Sequence, residues 1–293
     1  MSNELAQVLV GALVLGSLYA VVGIGFVILY KATHVLNFAQ GSLMLLGAFL
    51  YYTLNQDLGL SWPLAGAASL VAMGLIGSLL YLLFFRRLVG AREFTLVIAT
   101  LGLSVVLLTM TLIVWGPGTR TMSGQLPRTT VVALGALHFS AIDLFSIVTA
   151  LVVVALLDIS LRRTRLGVQM RAVADDPLLA SLMKVNVNRM SALAWGTAGL
   201  CAGVAGIAYA MRLSVDPDGL TALGLLAFPA VLLGGLDSVR GVLAGGYLLA
   251  LAQSGASFYL GGRWADVTAY AVMLGVLLVL PRGFFGSRAA VRL

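Results

Sequence analysis

This 293-residue sequence is short of charge, with 10% Asp, Glu, Lys and Arg against about 25% in soluble domains. That scarcity excludes an ordinary soluble globular domain. It also excludes nucleic-acid binding, because the net charge of +7 has no soluble basic domain to carry it. A single cysteine, Cys201, rules out an internal disulfide. The two lysines, Lys31 and Lys184, follow no glycine-rich loop, so there is no Walker A phosphate site and no ATP hydrolysis by this chain alone. His34 and His138 are isolated from each other and from Cys201, and no His, Cys, Asp or Glu cluster has metal-ligand spacing. No serine sits in a nucleophile elbow, which argues against a membrane enzyme. No ionisable residue stands at the centre of an apolar run, which argues against ion-coupled transport.

What is abundant is apolar surface: 60% of the residues are hydrophobic and the mean hydropathy is +1.04. A transmembrane helix needs about 20 mainly apolar residues. Such runs fall at Leu5–Tyr30, Val35–Leu54, Trp62–Phe85, Phe94–Trp115, Phe139–Leu161, Met190–Met211, Ala222–Leu236, Val242–Tyr259 and Val267–Leu280. The expected fold is all-α, a polytopic transmembrane helical bundle of eight or nine spans, forming one domain over residues 1–293. The run Ala222–Leu236 is only 15 residues long, contains Pro229 and ends in Gly234-Gly235, so it is expected to be broken or re-entrant. Unwound backbone at Gly234 and Gly235 would then line a substrate route. The first run has no basic stretch ahead of it and outruns a signal-peptide core, so it reads as a retained anchor.

One island interrupts the apolar runs. Residues 162–189 hold Arg162, Arg163, Arg165, Arg171, Lys184 and Arg189, six of the chain's 18 cations. Asp175-Asp176-Pro177 predicts a helix start, since Asp caps orphan N–H groups and Pro fits the first turn. From Pro177 to Val185 the apolar residues Leu178, Leu179, Leu182, Met183 and Val185 follow helical spacing, leaving one face in need of a partner. The island reads as a cytoplasmic docking loop. Placing it inside, with nine crossings, puts 14 of the 18 cations on its side and leaves Arg120, Arg128, Arg212 and Arg263 opposite. The N-terminus is then outside, the C-terminus inside, and Gly116–His138 is an external loop. Asp143 and Asp158 lie toward opposite ends of their run, with Asp158 one turn before Arg162 as an interfacial ion pair.

Polar groups do enter the bilayer at Asn37-Phe38-Ala39-Gln40-Gly41-Ser42, where two amides and a hydroxyl could not all face lipid cheaply. They line a path, or they hydrogen-bond between helices that Gly41 and Gly47 let approach closely. Gly199, Gly203, Gly206, Gly241, Gly245 and Gly246 repeat the close-packing spacing.

The chain resembles the LivH-type permease subunits of ABC importers for branched-chain amino acids, over nearly its whole length. The resemblance rests on Gly16-Ser17-Leu18-Tyr19-Ala20, Val35-Leu36-Asn37-Phe38-Ala39-Gln40-Gly41, Gly47-Ala48, Thr164-Arg165-Leu166-Gly167, Arg171-Ala172, Ala202-Gly203-Val204-Ala205-Gly206 and Val231-Leu232-Leu233-Gly234-Gly235 before Gly241. It implies a multi-pass protein of the bacterial inner membrane working with a second, homologous permease subunit, two cytoplasmic ATPases and a periplasmic substrate-binding protein. ATP and magnesium would sit on the ATPases, and this chain would bind no cofactor. Asp175 to Val185 would seat in an ATPase cleft, with Ala180 allowing close approach and Arg171 anchoring the loop. Asn37, Gln40 and Gly41 would lie beside the translocation path. Two departures are Ser42, where such sequences often have an acidic residue, and Lys184, where the loop commonly has glycine. The first leaves urea, amide or aromatic-acid transport open beside branched-chain amino acids. The competing reading is a passive channel for a small polar solute such as urea, which leaves the docking loop without a purpose.

Overall fold

The long apolar runs fold as helices, because inside a bilayer every backbone polar group must find its partner within the chain. The structure, a computed structural model, describes residues 2–122, 130–134, 137–280 and 283–285. In chain order the elements are α1 (Ser2–Thr33), α2 (Gln40–Tyr52), α3 (Trp62–Leu83), α4 (Glu93–Trp115), β1 (Thr130–Leu134), β2 (Leu137–Ser140), α5 (Ala141–Arg163), α6 (Arg165–Asp175), α7 (Pro177–Leu182), α8 (Val187–Arg212), α9 (Pro217–Gly234), α10 (Val239–Leu260) and α11 (Trp264–Val279).

The helical class holds, with one exception: β1 and β2 pair as an antiparallel hairpin within the loop expected outside. The span count of eight or nine is not confirmed: by length and composition, six described helices, α1, α3, α4, α5, α8 and α9, are long and apolar enough to cross a membrane. The expected run Val35–Leu54 is divided, since residues 34–39 leave the helix, α2 keeps 13 residues, and a π-helical turn follows at Thr53–Asp57. Helix α10 has 22 residues but is diluted by Arg240, Gln253 and its glycines, and α11 is a shorter apolar helix of 16 residues. The run Ala222–Leu236 is not broken at Pro229: its residues 222–234 belong to the continuous 18-residue α9, whose N-cap Asp216 accepts from the Gly219 N–H at 3.0 Å and whose first turn opens with Pro217.

Burial sorts the helices. Of the most apolar stretch of α1, 89% is buried, against 17% for α4 and 22% for α5, so α1 lies at the centre and α4 and α5 at the periphery. Helix α8 packs on α1, α2 and α3, and α10 packs on α1 and α9. Val71, Leu75, Leu79 and Leu82 form an exposed stripe on α3, a face that suits lipid and not water. At the centre small residues let backbones meet: a side chain at Gly206 would strike the Met44 carbonyl, and one at Gly47 would come within 2.9 Å of the Gly203 Cα.

The charges collect at two ends. Asp158 pairs with Arg162 at 2.7 Å, as its spacing implied, and also with Arg240 at 3.6 Å. Lys31, Arg171, Asp175 and Asp237 line the same cleft. At the other end of α5, Asp143 caps the helix with Ser140 and meets Arg212 at 3.3 Å, while Arg120 bridges to Val215 through the backbone. Arg128, Arg282, Arg288 and Arg292 from the charge count lie outside the described residues.

Candidate docking segment and membrane cavity

The charged island is more ordered than a loop with one helix. Thr164 caps α6 by accepting from the Gly167 N–H at 3.1 Å, so α6 follows α5 after a single residue. Met170 and Val173 turn inward, and Arg171 and Asp175 are exposed. Asp176 then accepts from the N–H groups of Leu178 and Leu179 at 2.9 and 3.0 Å, and Pro177 opens α7, as its sequence implied. The helix stops at Leu182, short of Val185. Met183 is its C-cap, Lys184 takes φ of +61°, and the Val185 N–H closes the turn on the Ala180 carbonyl at 3.0 Å.

This geometry redistributes the expected roles. Ala180 is 3% exposed and packs into its own chain, whereas Met183 is 80% exposed and Leu178, Leu179 and Leu182 stand out beside it. The unpartnered surface is thus leucine and methionine, flanked by exposed Arg171, Asp175 and Lys184 and by half-buried Val185. The left-handed backbone at Lys184 explains why glycine suits that position. Lys184→Gly is expected to be tolerated. Lys184→Val is expected to destabilise the segment by about 1–2 kcal/mol, read as faster limited proteolysis between α6 and α8.

The segment Asn37–Ser42 forms a closed polar knot where α2 begins. Asn37 Nδ2 donates to Gln40 Oε1 at 3.1 Å, Asn37 Oδ1 accepts from the Ala39 N–H at 3.2 Å, and Gln40 Nε2 donates to the Ala198 carbonyl at 3.1 Å. The Ser42 hydroxyl lies 2.9 Å from both the carbonyl and the hydroxyl of Ser104. Asn37, Gln40 and Ser42 are fully buried, Gly41 abuts Gly224 of α9, and Phe38 packs on Phe228 with ring centroids 5.2 Å apart. These groups join helices; none of them lines a described cavity. Gln40→Leu would leave Asn37 Nδ2 without an acceptor and remove the bond to the Ala198 carbonyl that ties α2 to α8. It is expected to cost about 1–3 kcal/mol, read as a lower melting midpoint in detergent. At Gly234-Gly235 the helix ends, with Gly235 at φ of +103°, and the backbone groups there are hydrogen-bonded. The Gly235 N–H donates to the Val231 carbonyl at 2.8 Å, and the N–H groups of Phe284 and Phe285 donate to the carbonyls of Leu233 and Gly234 at 2.8 and 3.1 Å.

A cavity of about 630 Å³ opens instead between α1, α9, α10 and α11, at the end of the bundle away from the docking segment. Leu15, Leu223, Leu226 and Phe258 wall it, Ser254 and Ser257 add hydroxyls, and Asp266 stands in the first turn of α11. Tyr19 and Gln253 also line it, the phenol donating to Gln253 Oε1 at 2.6 Å. Sequence reasoning missed Gln253, although a lone amide inside the apolar run Val242–Tyr259 was a visible signal.

Residues 8–277 match the family described as "Branched-chain amino acid transport system / permease component". The chain is similar to the high-affinity branched-chain amino acid transport system permease protein BraD of Pseudomonas aeruginosa, with 31% identity over 96% of this chain and 95% of that protein. It is similar to LivH of Escherichia coli, a permease protein of the same description, at 28% identity over 96% and 95%. A probable branched-chain amino acid transport permease protein LivH of Methanocaldococcus jannaschii shares 29% over 96% and 92%. No solved structure matches the chain.

Proposed function

This chain belongs to the family of branched-chain amino acid transport permease components, and from that membership we propose that it is the membrane-spanning subunit of an ATP-driven importer. It moves branched-chain or related amino acids, received from a periplasmic binding protein, across the bacterial inner membrane. As a transport permease it is not an enzyme; hydrolysis of ATP with magnesium belongs to two cytoplasmic ATPase subunits, and a second homologous permease completes the pathway.

The observation that carries this reading is the exposed apolar face of α7, set among charges at the cation-rich end of the bundle. Neither lipid nor an isolated channel gives that face a purpose. Its linkage suits transmission of force: α6 continues from α5 after Thr164, and Met183–Asn186 alone separate α7 from α8. Helix α8 in turn contacts α1, α2 and α3. Closure of the ATPase dimer would draw the two docking segments together and, through α5 and α8, switch the permease pair from inward- to outward-facing. Lys184 would pair with an acidic group on the ATPase. Arg162, Arg171 and Arg240 gather at one end beside Lys31 in the last turn of α1 and Phe285, and Arg120 and Arg212 at the other, which supports an N-terminus outside and a C-terminus in the cytoplasm.

The test is purification of the tagged chain from its native membrane in mild detergent, with a known importer carried through as control. ATPase subunits and ATP hydrolysis accompanying the chain support the importer; a chain that arrives alone while the control complex survives favours the passive channel.

A further inference from the structure

We propose that the cavity between α1, α9, α10 and α11 holds the transported solute within the membrane, with Gln253 as its specificity-determining side chain and Tyr19 as the positioning residue. This assignment rests on the import reading above and adds the site and its recognition chemistry.

Gln253 is 3% exposed, and that remnant faces the cavity it lines. Its Oε1 is taken by the Tyr19 hydroxyl at 2.6 Å, and its Nε2, which is not among the buried unpartnered atoms of the described residues, is the edge left to the cavity. An amide with open donors inside an apolar bundle is costly unless something accepts from it. The contrast with Asn37 and Gln40 is direct, because every side of that knot is engaged. Tyr19, near the middle of α1, holds the carbonyl edge of Gln253 away and leaves the N–H edge for a ligand.

The surroundings define what the ligand is. Ser254 and Ser257 follow Gln253 outward along α10, and Asp266 lies near the mouth. Leu15 of α1, Leu223 and Leu226 of α9 and Phe258 of α10 supply the apolar lining. The arrangement suits a small zwitterion with an aliphatic side chain: its carboxylate accepts from the amide and hydroxyls, its ammonium is drawn by the Asp266 carboxylate, and its side chain rests on the leucine wall. A volume of about 630 Å³ falls in the range of small-molecule sites and exceeds an amino acid, so the hold is loose. One neutral amide and two hydroxyls grip a carboxylate far more weakly than an arginine would. Loose holding suits a passage that must release what it takes.

The test uses the whole importer, with its partner permease, ATPases and binding protein, in proteoliposomes with L-leucine as probe. The quantity measured is leucine taken up per ATP hydrolysed, a ratio that a general loss of folding or assembly does not move. Gln253→Leu is expected to lower it by at least ~10-fold, and Tyr19→Phe by a few fold. An unchanged ratio in both variants overturns the assignment, as does a parallel fall of uptake and hydrolysis. A second variant reads occupancy directly. Cys201 is 1% exposed, so Ser254→Cys adds the one accessible thiol among the described residues. Its reaction with a water-soluble maleimide is expected to slow when leucine-loaded binding protein is present with ATP; a thiol that does not react, or is not protected, overturns the assignment. If the wild-type complex consumes no ATP and accumulates no leucine, the import reading itself has failed, and the site assignment goes with it.

Discussion

Replacing Leu182 with glutamate is expected to release the ATPase subunits and abolish ATP-driven uptake, while the permease itself remains folded. Leu182 is 72% exposed, so its replacement disturbs little within the chain. On the proposed reading the same side chain would lie in the ATPase interface with Leu178, Leu179 and Met183, where an unpaired carboxylate must be desolvated. Such central apolar anchors commonly contribute about 2 kcal/mol or more to binding, and the buried charge adds a further cost. At about 1.4 kcal/mol per factor of ten, affinity falls by more than ~30-fold at each docking segment. The measurement is the amount of ATPase retained on the tagged permease, with the melting midpoint of the permease alone as control. Retention with an unchanged midpoint would place the ATPase contact elsewhere. Ala180→Glu is the wrong test of docking, because Ala180 is buried and its replacement would damage the segment itself.

Gly206→Ala is expected to have the opposite character, removing the folded protein rather than its partner. The added methyl would meet the carbonyl and Cα of Met44 on α2, which are backbone atoms with no rotamer to turn away. Overpacking of this kind costs about 1–3 kcal/mol and more where neither helix can shift. Helix α8 is fixed by three neighbours, α1, α2 and α3. The accumulated level in membranes and the melting midpoint in detergent should both fall sharply. Gly102→Ala on α4, with nothing within 4 Å of the new atom, should leave both unchanged or slightly raised.

What the sequence revealed depended on signals that are local. The caps at Asp176 and Pro177 were legible because an acceptor side chain and a fixed φ act within three residues. The Asp158–Arg162 pair was legible from helical spacing alone. The boundaries of α9 were not, since Pro217-Asp218-Gly219 serves equally as a turn or as the start of a helix. Nor could hydropathy show that Val35–Leu54 leaves the helix at residues 34–39, because burial of the Asn37 and Gln40 amides against Ala198 depends on a contact 158 residues away. The same limit concealed the solute cavity. Tyr19 and Gln253 are 234 positions apart, and only the packing of α1 on α10 brings them together. The apolar face of the docking helix was visible in the spacing of its leucines, but the inward turn of Ala180 follows from the closing turn at Lys184.

The most direct test of the account is accumulation of L-leucine by proteoliposomes holding the complete importer, with its binding protein outside and ATP supplied to the ATPases. The account requires the internal concentration to rise above the external one with ATP and not with a non-hydrolysable analogue. Equal, ATP-independent equilibration of leucine or of urea would contradict it and identify the chain as a passive channel.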